Sequence, residues 1–357
     1  MINGNLKATY EVDQQILNNR YKISFVWISL IFAALLPFMA NDYVILVACQ
    51  VGIMTVAVVG VNVLTGYTGL LSLGHGGFVA IGAYSVTLLH QAASTLSIPV
   101  GTQPFLTIPG AVALTAITGV IVGLPSLRVK GVYLAVATLS ANFIIIFLIE
   151  LNFLSYWTGG KNGLTTVDPS FLGWVLDSQR EVYFLIIITT FTTILVVQNL
   201  FRTRVGRAFI AIRESDYSAE ILGISLLRYK LISFAISAAC CGLSGVLIAY
   251  FYARILPDQF QLLLSLQLVA ALIVGGMGRT MGPVFGVIII VLSPELLKII
   301  MTMIAGDSIT ATQFRAPLQE IIFGLLIIGF IMFEPLGIAQ ISDRVFRSIN
   351  RWPFARG

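Results

Sequence analysis

From Leu231 to Ala253 the chain reads LISFAISAACCGLSGVLIAYFYA, an unbroken run without a single Lys, Arg, Asp, Glu or His. A helix needs about 20 such residues to cross the hydrocarbon core of a bilayer, where every backbone N–H and C=O must be satisfied inside the segment. The pattern recurs from end to end. Comparable stretches run from Ser24 to Ala40, Tyr43 to Leu64, Leu70 to Leu89, Phe105 to Ser126, Gly131 to Leu151, Val182 to Phe201, Leu262 to Met277, Met281 to Met303 and Leu318 to Phe333. The first, eighth and tenth in chain order are short. The third is interrupted by Gly74-His75-Gly76-Gly77, and the ninth by Pro283 and Pro294. The expected fold is all-α, a polytopic integral membrane bundle of about ten transmembrane helices.

Composition agrees. Of 357 residues, 57% are hydrophobic and 10% charged, with a mean hydropathy of +0.94. Ordinary globular chains carry about 25% charged residues. So few charges could not cover the surface of a soluble protein this large, which excludes a water-soluble enzyme, a disordered tail and a nucleic-acid binder despite the net charge of +5. Cys49, Cys240 and Cys241 lie inside apolar runs and read as small buried hydrophobes, whereas a disulfide framework would occupy polar loops.

The basic residues orient the bundle, because cytoplasmic loops near span ends carry the excess of Lys and Arg. With the N-terminus inside, sixteen of the 21 basic residues fall on the cytoplasmic side, the largest cluster lying between Arg202 and Lys230. An odd number of spans would put Arg344, Arg347, Arg351 and Arg356 outside, so both termini are expected to be cytoplasmic. Residues 1–23 contain Glu11 and Asp13, unlike the short basic region of a signal peptide, and are expected to form a cytoplasmic arm. Residues 24–335 then form the transmembrane domain, with a cytoplasmic loop over 202–230 and an external loop over 152–181. Residues 336–357 make a basic cytoplasmic tail.

Four features rise above a generic bundle. Gly66 to Phe78 combines glycines with Ser72 and His75, a pattern suited either to a broken helix lining a pathway or to close helix packing with His75 bonded to a neighbour. Gly275 to Gly286 reads as a tight glycine hairpin between the eighth and ninth spans, presenting Arg279 to headgroups or a partner. In the basic loop, Ile212, Ser215, Ala219 and Leu222 recur at helical spacing and Gly223 can end the helix. Its small Ser218 and Ala219 beside Glu214, Asp216 and Glu220 favour docking in the groove of a soluble partner over lying on lipid. Finally, Glu150, Glu295, Lys298 and Glu320 sit at the outer ends of spans, Glu295 and Lys298 at a spacing that allows pairing. No catalytic constellation or metal-ligand set is expected, and the chain shows no energy source of its own.

The runs Gly69 to Phe78 with Gly82-Ala83-Tyr84, Lys130 to Ala135 with Thr138-Leu139, Thr158 to Leu164, and Arg207 to Ile224 followed by Arg228-Tyr229-Lys230 resemble the permeases of branched-chain amino acid ABC importers, in their LivM-type branch. The resemblance covers about residues 43–335. Related permeases for neutral amino acids and urea share the order of motifs. The resemblance implies a multi-pass subunit of a bacterial inner membrane, paired with a homologous LivH-type permease, two cytoplasmic ABC ATPases and an extracytoplasmic solute-binding protein. This chain would bind no cofactor, ATP and magnesium being held by the ATPases. It also implies an ATPase-coupling segment that includes Arg207, Arg213, Glu214, Ser218, Ala219, Glu220 and Gly223. Ala219 and Gly223 match the family pattern Glu-Ala-Ala-x-x-x-Gly, with Tyr217 in place of the glutamate. Ser72, Gly74, His75, Thr138 and Asn142 are candidates for a mildly polar path, with helix packing an equally good account of each. The alternatives are a urea or short-amide permease and an ion-coupled secondary transporter, the latter needing a carboxylate near the midplane.

Overall fold

The computed structural model describes residues 31–305 apart from 97–98, 130, 152–154, 167–168, 172–173 and 177, together with scattered residues between 317 and 339. Lys130, Glu320, the arm over 1–23 and nearly all of the tail lie outside them. Helical residues 31–39 come first. The main helices are α1 Asp42–Val61, continued by a π-helical turn Asn62–Tyr67, α2 His75–Thr95, α3 Gln103–Ser126, α4 Val132–Glu150 and α5 Gln179–Arg202. Two shorter ones follow, α6 Arg204–Glu214 and α7 Asp216–Ile221, and then α8 Leu226–Phe251, α9 Leu262–Gly275 and α10 Gly282–Ala305. Among the described residues, seven helical segments are long and apolar enough to cross a bilayer. The second to ninth expected spans are all helical. Of the first and tenth, only residues 31–39 and scattered helical positions after 317 are described.

The helix α8, which carries most of the uncharged run Leu231–Ala253, lies at the centre and packs along α3, α2 and α1. Burial separates inner from outer helices: 67% of the apolar window of the α1 segment and 61% of that of α8 are buried, against 22% in α3 and 28% in α5. Without a hydrophobic force between helices in lipid, association depends on close packing and hydrogen bonds. Both occur here. A methyl on Gly60 of α1 would come within 2.6 Å of Cys240 Cβ, and one on Gly82 of α2 would fall on the Gly242 backbone. Ser244 Oγ donates to Ile53 O (2.8 Å), and Thr190 Oγ1 of α5 to Gly52 O (3.1 Å). Tyr183 OH donates to Ala33 O (2.6 Å), tying the first helical stretch to α5. All three cysteines are buried and free.

Helix α2 is long enough to span but falls outside those seven, and most of its residues are buried against α8 and α3. A helix enclosed by protein has no need of a fully apolar surface. Its start differs from expectation: helix begins at His75, not Leu70, and residues 68–74 are non-helical. The ninth span is likewise corrected. Pro283 opens α10 rather than interrupting it, where its missing N–H costs nothing, and Pro294 lies within a helix that continues to Ala305.

The loop after α4 adds small strands to the helical fold. β1 Leu164–Thr165 pairs with β4 Arg254–Ile255, and β2 Ser170–Phe171 with β3 Trp174–Val175. Gly159 and Gly163 adopt positive φ (both 70°), and a methyl on Gly163 would strike Ile255 O. The Thr158 to Leu164 motif is thus a turn that sets β1 against β4. Glu295 and Lys298, at a spacing that allows pairing, both reach Tyr43 of α1, Glu295 accepting from its hydroxyl and Lys298 Nζ standing 4.9 Å from its ring centre.

Candidate functional site

The π-helical turn ends α1 with its polar groups partnered locally. Thr68 Oγ1 donates to Val63 O (2.9 Å), Thr65 Oγ1 to Leu70 O (3.1 Å) and Leu70 N–H to Leu64 O (3.1 Å). The chain then crosses to α2 without helical bonds. Such backbone survives at membrane depth only where protein supplies the partners. Leu73 N–H donates to Thr138 Oγ1 (3.0 Å) on α4, and Gly76 N–H to Ser265 Oγ (2.8 Å) on α9. Gly74 N–H reaches Ser72 Oγ at 3.5 Å.

The five path candidates therefore meet. Ser72, Gly74, His75, Thr138 and Asn142 are all buried, the last two and His75 completely. A methyl on Gly74 would strike Thr138 O, and one on Gly76 or Gly77 would stand 3.1 Å from Asn142 Oδ1. His75 Nε2 lies 3.1 Å from Ser237 Oγ of α8. Neither amide atom of Asn142 has a hydrogen-bond partner among the described residues, and His75 Nδ1 has none beyond the Ser72 backbone. An unsatisfied buried polar group costs about 1–3 kcal/mol, so the Asn142 amide calls for water or a polar solute. Farther along α2, Tyr84 OH and His90 Nδ1 are buried with no partner among the described residues, while Tyr250 OH of α8 and Thr107 Oγ1 of α3 are buried beside each other. Sequence reading passed over this second group, since lone polar residues in apolar spans look like packing.

The second glycine break is built differently. Residues 276–281 turn between α9 and α10, and the flanking glycines let backbone meet backbone: a methyl on Gly275 would strike Gly282 O, and one on Gly286 would strike Ala271 O. One side chain binds the turn. Asn62 Oδ1 accepts from Gly278 N–H (2.8 Å) while its Nδ2 donates to Arg279 O (2.9 Å). Asn62, Ser237 and Ser265 were missed from sequence. A lone amide late in the apolar run Tyr43 to Leu64 was the available signal for the first.

The basic loop is two helices, not the single one its spacing suggested. α6 buries Gly206, Ala208, Phe209 and Ile212, with Phe209 packed among Val59, Val63, Val197 and Cys240. The chain then bends at Ser215, whose extended backbone frees its hydroxyl to accept from Ser218 N–H (3.2 Å) and cap α7. Gly223, at φ 81°, closes α7: Ile224 N–H bonds Ala219 O (3.0 Å) and Gly223 N–H bonds Glu220 O (2.9 Å), the paired bonds of a Schellman motif. Lys230 Nζ grips Asp216 at 2.7 Å. The bend rotates the expected face. Ala219 is buried within the chain, whereas Leu222 is 77% exposed, beside Tyr217 and Ile221, also exposed. Arg207, Arg213, Glu214, Ser218, Glu220 and Gly223 are exposed.

Residues 43–331 match the family described as branched-chain amino acid transport system / permease component. The chain is 32% identical over 293 residues to the high-affinity branched-chain amino acid transport system permease protein LivM of Escherichia coli (strain K12), covering 75% of this chain and 67% of that protein. To LivM of Salmonella typhimurium (strain LT2) it is 31% identical over 298 residues, 77% of this chain and 68% of the relative. It is also 25% identical over 296 residues to the LivH permease protein of Escherichia coli (strain K12), covering 78% and 89%. No solved structure matches the chain. With its apolar spans, broken helices and a family match over most of its length, the chain belongs to the membrane permease components of branched-chain amino acid transport systems.

Proposed function

We propose that this chain is the LivM-type, non-catalytic membrane subunit of an ATP-driven importer that carries branched-chain amino acids across a bacterial inner membrane. It pairs with a LivH-type permease, takes energy from two cytoplasmic ATPases holding ATP and magnesium, and receives solute from an extracytoplasmic binding protein. Both termini and residues 202–230 face the cytoplasm, and residues 152–181 face outside. The observation that carries the reading is the exposed apolar face of Tyr217, Ile221 and Leu222 on α7, in a loop otherwise rich in charge. Exposed aromatic and aliphatic residues rimmed by charge mark a protein-docking surface. The unpartnered amide of Asn142 beside the start of α2, and the unpartnered Tyr84 hydroxyl farther along that helix, support a solute path along α2.

The test is uptake of labelled leucine into vesicles containing the complex, with and without ATP on the ATPase side. Uptake should require ATP, and Tyr217→Asp with Ile221→Glu should abolish it by releasing the ATPases while the permease pair still assembles. Leucine flux through this chain alone, driven by a sodium or proton gradient, would overturn the reading.

A further inference from the structure

Arg213 is the last but one residue of α6, and its side chain lies over both glycine breaks at once. A methyl on Gly69 would stand 3.3 Å from Arg213 Cγ and 3.5 Å from its Cα. A methyl on Gly278 would collide with Arg213 Nη1 and lie 3.4 Å from its Cζ. The stem therefore rests on the first break and the tip on the second. Both glycines have positive φ, 76° and 72°, so each presents a face without a side chain to the arginine. Among the described residues no carboxylate lies within ion-pair distance of Arg213, so charge pairing does not explain its placement. Beneath it, Asn62 ties the end of α1 to Gly278 and Arg279 by two hydrogen bonds.

We propose that Arg213, with Asn62, is a positioning residue that clamps the two glycine breaks to the end of α6, so that the α1 terminus and the α9–α10 hairpin move with the basic loop as one body. Packed elements transmit displacement because they exchange one discrete arrangement for another rather than deforming continuously. As a step in import, the clamp rests on the ATP-driven reading above. As a piece of geometry, it does not.

The test combines hydrogen–deuterium exchange of the full chain, in its complex in lipid nanodiscs, with uptake per ATP hydrolysed. Arg213→Ala should speed exchange over both 66–70 and 276–280 and lower uptake per ATP by about five- to tenfold. Arg213→Lys keeps the stem and loses the fork, so it should speed exchange over 276–280 alone. Unchanged exchange in both variants overturns the clamp, whatever the complex transports. Faster exchange with unchanged uptake per ATP overturns its role in transmission. If the unaltered complex shows no ATP-driven uptake, the import reading and the transmission role fall together, and exchange alone decides the clamp.

Discussion

The glycine-rich breaks at 66–78 and 275–286 have similar compositions and satisfy their backbones by different means. In the first, the non-helical chain between α1 and α2 and the first turn of α2 take hydroxyls from other elements, Thr138 of α4 and Ser265 of α9. In the second, α9 and α10 turn sharply and their glycines press backbone on backbone, with Asn62 as the one side chain bonding the turn among the described residues. The first arrangement gathers polar side chains deep in the protein and leaves some without partners. The second leaves its polar groups closed. In the first break glycine frees backbone to bond distant hydroxyls, and in the second it lets neighbouring backbones close a turn.

Substitutions can break or sharpen that contrast. The largest effect is expected for Gly74→Val, because the added carbons meet the Thr138 carbonyl, which the α4 backbone holds in place. Overpacking of that kind should cost about 3 kcal/mol, read as a loss of unfolding stability in detergent. Stability equal to the unaltered chain would mean that the first break is loosely packed. Gly278→Ala should cost less, about 1–2 kcal/mol for left-handed backbone, because the nearest atom it meets is the end of the Arg213 side chain and the nearest backbone atom, Gly66 O, stands 3.0 Å away. A larger loss there than at Gly74 would reverse the comparison. The smallest stability change is expected for Asn142→Leu, within about 1 kcal/mol of zero, since its amide has no bond to lose among the described residues. Leucine uptake should nonetheless fall about tenfold, the equivalent of one lost hydrogen bond of about 1.4 kcal/mol to a passing solute. Unchanged uptake would remove Asn142 from the path.

How much was legible in the sequence depended on how local each property is. Span positions follow from runs of apolar residues and emerged within a few residues for α3 to α5 and α8. The end of α7 was readable because Gly223 acts through its own φ and bonds to Ala219 and Glu220 nearby. The start of α2 was not, because Leu73 N–H and the free first-turn N–H of Gly76 bond hydroxyls on α4 and α9 that are distant in sequence. The buried side of Ala219 was misread for a related reason. Helical spacing from Ile212 to Leu222 assumes one axis, and the Ser215 cap starts a second.

By itself the sequence determined that the chain lies in a membrane, where its spans fall, and which segments carry something other than packing. Hydropathy and glycine content are sums over neighbours, so they need no partner to be read. Only the tertiary structure decided that Gly66–Phe78, Gly275–Gly286 and the end of α6 converge on Asn62 and Arg213, and that Ser72, His75, Thr138 and Asn142 share one buried enclosure. Those outcomes depend on hydrogen bonds and close approaches between residues scores of positions apart, settled when helices pack and not before.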